Sequence, residues 1–210
     1  TNGRESNAEA PDPLEPQGNR KRRRLLQLAP LWLAGGWAAG ARADGAAWRT
    51  VVAGGCAILL RHARTTPGIG DPPGFRLDDC ATQRNLSGAG RAQAARFGAG
   101  CERRGIHIDE LRSSRWCRCL DTARLAFPRH AVEPLGALDS FFADASAGGT
   151  QTAALRDYLG ALPATRRAVL VTHMVNITAL TGESPAMGEA LIVRTGASGA
   201  GQVLGWLRVD

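Results

Sequence analysis

Two short apolar runs that each end on a histidine constrain this chain more than any other feature. Residues 56–60 (Cys-Ala-Ile-Leu-Leu) carry no charged side chain and stop at Arg61-His62, and residues 168–172 (Ala-Val-Leu-Val-Thr) lead directly into His173. A run that is apolar at successive positions, rather than at alternate ones, suits a strand covered on both faces, the situation of a central strand in a parallel sheet. In such sheets function gathers just beyond the carboxyl ends of the strands. Arg61, His62 and His173 all fall there.

The remaining pattern supplies the layers. Ser87 can cap a helix running to about Arg104, with Ala92, Ala95, Phe97 and Cys101 among its candidate buried positions. Residues 106–111 are a second strand candidate, residues 116–127 a helix closed by Pro128, and residues 150–162 a helix stopped by Pro163. Residues 190–195 and 203–209 are further strand candidates. Residues 65–83 are rich in Gly, Pro and Asp and predict a long loop, a length that compact domains usually keep for function. The predicted fold class is α/β, a three-layer sandwich with a mostly parallel central sheet flanked by helices.

The amino-terminal region reads differently. Residues 1–19 are polar, contain Pro11, Pro13 and Pro16, show no apolar period and predict a disordered extension. Arg20-Lys21-Arg22-Arg23-Arg24 then precede an apolar stretch over residues 25–41, and Ala41-Arg42-Ala43 follows. A positive run, a short apolar run and an A-x-A site match a secretory signal peptide over residues 20–43, cleaved near Ala43. A retained anchor is the competing reading, which Pro30, Gly35 and Gly36 weaken. Cleavage leaves residues 44–210 as one domain, with no stable membrane span and an exported, periplasmic location.

Charge narrows the partner classes. The net charge is +7, but residues 1–43 hold seven of the 26 basic residues and four of the 19 acidic ones, so the rest is only mildly basic. That balance suits a small anionic ligand. There is no basic stripe interleaved with aromatics, so no nucleic-acid partner is expected. Export would allow one or two disulfides among Cys80, Cys101, Cys117 and Cys119, in a pairing that spacing leaves open, while Cys56 lies in an apolar run and reads as a buried thiol. Cys117-x-Cys119 has no second ligand pair at zinc spacing, so no metal is expected.

The chemistry-bearing residues form an ordered series: Leu60-Arg61-His62-Ala63-x-Thr65, Leu86-Ser87-x-x-Gly90-x-x-Gln93-Ala94, Ser113-Ser114-x-x-x-Arg118-x-x-x-Thr122-Ala123, and Val171-Thr172-His173. Neutral imidazole is a competent nucleophile near neutral pH. Arginine forks and a second imidazole can meet the charge spread over the equatorial oxygens of a phosphoryl group in transfer.

This series resembles the histidine phosphatase superfamily, in its phosphoglycerate-mutase-like branch, over about residues 56–194. The resemblance implies a phosphomonoester hydrolase without metal or cofactor. His62 would be the nucleophile that becomes phosphorylated, and Arg61, Arg118 and His173 the phosphate pocket. Thr65 and Arg84 would contact substrate, with Arg76 and Gln83 as further loop candidates. The leaving group needs a proton, for which Asp139 is the first choice and Asp78, Asp79 and Glu189 are competitors. Ala63 stands where glycine is frequent, and the mutase-type Trp-Asn pair after the Arg-His block is absent, which favours hydrolysis over transfer between sugar positions. Only 54 residues separate Arg118 from His173, too few for a large cap domain. The loop from Gly70 to Cys80 looks like that of small envelope phosphatases acting on lipopolysaccharide core heptose. The expected partner is therefore a small phosphorylated substrate such as an envelope sugar phosphate. A phosphohistidine phosphatase and a non-catalytic phosphate binder are the alternatives.

Overall fold

In a computed structural model of the chain, residues 36–197 and 200–208 are described. The expected disordered extension, and the basic and apolar segments up to residue 35, lie outside them. Helix α1 (Gly36–Ala53) runs across the cleavage point expected near Ala43, and beyond that point it contributes the buried side chains Ala47, Trp48 and Val51. No described helix is long and apolar enough to cross a membrane.

The central sheet has six strands: β1 (Cys56–Arg61), β2 (Glu110–Ser113), β3 (Glu133–Pro134), β4 (Ala168–Thr172), β5 (Ala190–Arg194) and β6 (Val203–Leu207), in the order β3-β2-β4-β1-β5-β6. The pairings β3·β2, β2·β4 and β4·β1 are parallel, while β1·β5 and β5·β6 are antiparallel. The two apolar runs are therefore neighbours at the centre, in the register Ala57↔Ala168 to Arg61↔Thr172. That register is what brings Arg61-His62 and His173 together.

Alternate residues of the strands feed two cores. Ile58, Leu60, Val169, Val171 and Ile192 face Trp48, Val51, Phe97 and Ala123 from α1, α2 (Gly88–Arg103) and α3 (Cys117–Ala126). Ala57, Leu59, Leu170, Leu191 and Val193 face Leu155, Leu159, Ile177 and Leu180 from α4 (Gly148–Ala161) and α5 (Met174–Thr181). Truncating one such leucine to alanine would cost about 2–5 kcal/mol.

Two expectations need correction. Ala92 and Ala95 are exposed; the buried residues of α2 are Gly90, Ala94, Phe97, Gly98, Gly100 and Cys101. Its position is set by an absent side chain, because a Cβ on Gly98 would stand 1.7 Å from the Ala126 carbonyl oxygen. Strand β2 starts at Glu110, opposite the first residue of β4, and not at Ile106. One disulfide forms, Cys80–Cys117, and Cys56, Cys101 and Cys119 are buried free thiols.

Candidate active site

His62 is placed by backbone contacts that begin in β1 and α3. Its N–H donates to the Thr172 carbonyl at 3.0 Å, continuing the parallel ladder past the end of β1. The next amide, of fully buried Ala63, donates to Thr122 Oγ1 at 3.0 Å, and that hydroxyl donates to the Arg118 carbonyl at 2.7 Å. Fixed in this way, the Ala63 carbonyl lies 2.9 Å from His62 Nδ1. A carbonyl oxygen only accepts, so Nδ1 carries the ring proton and Nε2 the lone pair. Burial is the chief reason that the His62 pKa is lowered to about 3; the Ala63 carbonyl opposes the shift, and the charges of Arg118, Arg61 and Arg84 add to it. The imidazole is neutral at any ordinary pH.

The amino end of α2 clamps the turn that follows. Ser87 caps the helix by accepting from the Gly90 amide at 3.1 Å, while its own N–H and hydroxyl donate to the Arg64 carbonyl at 3.0 and 3.3 Å. Gly90 is required there, since a Cβ would stand 1.8 Å from the same carbonyl oxygen. Gln93 accepts from the Arg64 amide at 3.1 Å and donates to the Met187 carbonyl at 2.8 Å. The Ser-x-x-Gly-x-x-Gln pattern is thus a device for holding residues 62–65.

Arg118 lies in the first turn of α3 with its side chain 4% exposed. It donates to both oxygens of Asp71, at 2.6 and 3.1 Å, and its Nη2 is 3.5 Å from His173 Nδ1. Because guanidinium cannot accept, His173 Nδ1 does, which leaves its Nε2–H to donate to Ser114 Oγ at 2.8 Å. The Ser114 hydroxyl in turn donates to Asp139 Oδ1 at 3.2 Å. Burial, then the neighbouring His62, Arg118, Arg61 and Arg84, keep the His173 pKa well below its ordinary value. The His62 and His173 rings meet edge to face, 5.4 Å apart.

Arg61 and Arg84 complete a positive cluster. Arg61 donates to the Pro185 carbonyl at 2.8 Å, and Arg84 to Thr65 Oγ1 at 2.6 Å and the Gly68 carbonyl at 2.9 Å. The pKa values of both are lowered, first by burial and then by repulsion from the other arginines, yet guanidinium stays charged. The Nε atoms of Arg61, Arg84 and Arg118 are buried with no hydrogen-bond partner among the described residues. Arg61, His62, Asp71, Arg84, Arg118 and His173 line the inner wall of one cavity of about 450 Å³. Its mouth carries Ile69, Phe142 and Met174, which are 90%, 57% and 39% exposed. Among the described residues, no group of three His, Cys, Asp or Glu side chains could hold a metal ion.

The structure therefore brings Arg61, His62, Arg84, Arg118 and His173 together and leaves other candidates elsewhere. Asp139 does not line the cavity. Its carboxylate accepts from the Arg115 amide at 2.8 Å and from Arg115 Nε at 2.6 Å as well as from Ser114, so it anchors the Ser114–His173 pair and is not poised as a proton donor. Thr65 also lies off the cavity lining, and its hydroxyl accepts from Arg84. Gln83 accepts from the Cys117 amide and holds the loop to α3. Arg76 pairs with Asp78 and Asp79, and Glu189 pairs with Arg208, all outside the cavity lining. Asp71 is the residue that reading the sequence missed. Its only sequence signal is a carboxylate between glycine and proline in the long loop, and its partner Arg118 lies 47 residues away.

No family model and no curated protein matches the chain by sequence. Solved structures do. The protein histidine phosphatase SixA complexed with tungstate is similar over 72% of this chain and 96% of that one, with a TM-score of 0.52 at 14% identity. A mycobacterial glucosyl-3-phosphoglycerate phosphatase in complex with VO3 is similar over 74% and 96%, with a TM-score of 0.50 at 19% identity. A phosphoserine phosphatase from Entamoeba histolytica in complex with 3-phosphoglyceric acid is similar over 74% and 98%, with a TM-score of 0.52 at 12% identity. Each of the three is a phosphatase. The chain has their fold. Nearly the whole length of each neighbour is matched, which agrees with the absence of a large cap among the described residues.

Proposed function

We propose that the chain is a phosphomonoester hydrolase that works through a phosphohistidine formed on His62 Nε2. The observation that carries this reading is the fixed tautomer of His62: a buried, neutral ring whose proton is tied to the Ala63 carbonyl presents its lone pair in a cavity walled by three arginines. A dianionic phosphoryl group would pair with the guanidinium groups of Arg61, Arg84 and Arg118, which line the cavity. As Nε2 attacks phosphorus, charge spreads over the equatorial oxygens, and preorganised arginines stabilise it without reorganisation. Water then displaces the ring from phosphorus and releases inorganic phosphate. That two of the similar structures hold tungstate and VO3 supports an oxyanion in this cavity.

The mouth of the cavity bears on the leaving group. Ile69, Phe142, Met174, Val175 and Met187 surround it, and among the described residues Ser140 is the one hydroxyl side chain in the lining. An envelope sugar phosphate, the finer expectation from the sequence, would leave most of its hydroxyls without side-chain partners there. Phosphomonoesters with an apolar or aromatic face fit better. Export is part of the same reading, supported by the basic–apolar–Ala-Arg-Ala segment and by the Cys80–Cys117 disulfide, a bond that persists in oxidising compartments. Sequencing the amino terminus of the exported protein should give Asp44 as its first residue.

The test is hydrolysis of an aryl phosphate by the purified protein. Turnover that disappears in His62→Ala and is blocked by tungstate is expected. Binding of tungstate without turnover would leave a phosphate binder and overturn the enzyme reading.

A further inference from the structure

Asp71 occupies the fork that a phosphate ester would need. Arg118 offers it two parallel N–H bonds, at 2.6 and 3.1 Å, the bidentate geometry with which arginine also grips phosphate. The Arg84 amide donates to it at 3.0 Å and the Trp116 indole N–H at 3.0 Å, so the carboxylate is held from α3, from the residue that precedes α3 and from its own loop. Its side chain is 7% exposed and lines the same cavity as His62. The disulfide Cys80–Cys117 ties this loop to the start of α3, so a carboxylate released from Arg118 stays at the mouth of the phosphate site. Neither Asp139, Asp78, Asp79 nor Glu189 lines that cavity, which leaves Asp71 as its only carboxylate among the described residues.

We propose that Asp71 is both the internal competitor of substrate phosphate at Arg118 and, once displaced, the acid that protonates the leaving group. This rests on the phosphatase reading above. Burial by itself would raise the Asp71 carboxyl, but the Arg118 hydrogen bonds, the Arg84 amide, the Arg118 charge and the Trp116 N–H hold it below the ordinary carboxylate range. The Arg118 hydrogen bonds, the largest of those lowering restraints, go when phosphate takes Arg118, and the charges then facing Asp71 are the phosphoryl group itself and the arginine guanidiniums now paired to it. A phosphate monoester loses its second proton near pH 6. Substrate therefore can arrive as the monoanion, give its proton to the displaced carboxylate and settle as the dianion on the arginines, with net charge unchanged. When the Nε2 lone pair of His62 forms the N–P bond, the P–O bond breaks, its electron pair goes to the leaving oxygen, and Asp71 supplies the proton that makes the alcohol. In the second step water forms the new P–O bond, its proton returns to the Asp71 carboxylate, and the N–P electron pair returns to Nε2.

The experiment compares Asp71→Asn with wild type in the full chain on two substrates of similar shape, p-nitrophenyl phosphate and benzyl phosphate, with tungstate affinity by calorimetry. General-acid assistance contributes about 10²–10⁴-fold, and it matters for benzyl alcohol, a poor leaving group, far more than for nitrophenolate. The expected result is a loss of at least about 10²-fold in kcat on benzyl phosphate against a loss of no more than about 10-fold on the aryl ester, with tungstate bound more tightly because its competitor is gone. Equal losses on both substrates, no loss on benzyl phosphate, or weakened tungstate binding would each overturn the proposal. Absence of His62-dependent aryl phosphate turnover in wild type is a different result, which overturns the phosphatase reading itself.

Discussion

His62→Gln changes how the protein answers to acid, by an amount that follows from its burial. The ring is 3% exposed and its pKa is lowered to about 3, against 6.5 for a free side chain. Between those values the unfolded chain binds a proton that the native chain refuses, so native stability falls as pH falls through that window. At 1.36 kcal/mol per pKa unit, the loss from this one group is about 2 kcal/mol by pH 5 and about 3 kcal/mol by pH 4. Glutamine can still donate to the Ala63 carbonyl but does not titrate. Carboxylates are present in both proteins and cancel in the difference, and burial, the chief cause of the His173 shift, is kept in both. Urea unfolding at pH 7, 5 and 4 should therefore show the stability of wild type relative to His62→Gln dropping by about 2 and then about 3 kcal/mol. A difference that stays constant with pH would mean that the native imidazole protonates freely, and the buried neutral nucleophile would be refuted.

The same ring sets the acid limb of kcat/KM near pH 3 in place of 6.5, read from initial rates on an aryl phosphate; a limb at 6.5 contradicts it. Gly98→Ala pushes a methyl into the Ala126 carbonyl and should cost about 3 kcal/mol or more, seen as a fall in Tm. Ser114→Ala leaves the buried His173 Nε2–H only the Cys119 sulfur, 3.4 Å away, as a weak acceptor and should cost about 1–3 kcal/mol in urea unfolding while lowering kcat/KM. Cys80→Ser with Cys117→Ser opens a link across 37 residues, and the chain-entropy estimate is about 4 kcal/mol of lost stability, measured against wild type with and without reductant.

Much of this was legible because it depends on local pattern. A strand buried on both faces must be apolar throughout, so β1 and β4, and with them the positions of Arg61, His62 and His173, could be read directly. Ser87 announced α2 because a hydroxyl at that place satisfies an otherwise unpaired amide. The face of α2 could not be read in the same way. Gly90 and Gly98 are buried because they lack a side chain, and only the backbones they approach, at Arg64 and Ala126, reveal it. The surroundings of two acidic residues were hidden for a similar reason. Asp139 follows Arg118 in sequence order, but Arg115, 24 residues earlier, claims its carboxylate. Asp71 looked like loop composition until folding set it on Arg118. A side chain's partner across the fold decides whether it is an anchor or a reactant, and sequence spacing does not carry that information.

The central claim is a covalent bond between His62 Nε2 and phosphorus. Brief exposure of the wild-type chain to labelled aryl phosphate, an alkaline quench that spares phosphohistidine, and mapping of the labelled peptide tests it directly. The account predicts label on His62, formed and lost at rates compatible with turnover and absent from His62→Ala. Label on any other residue, or turnover with no labelled protein at any time, would contradict it.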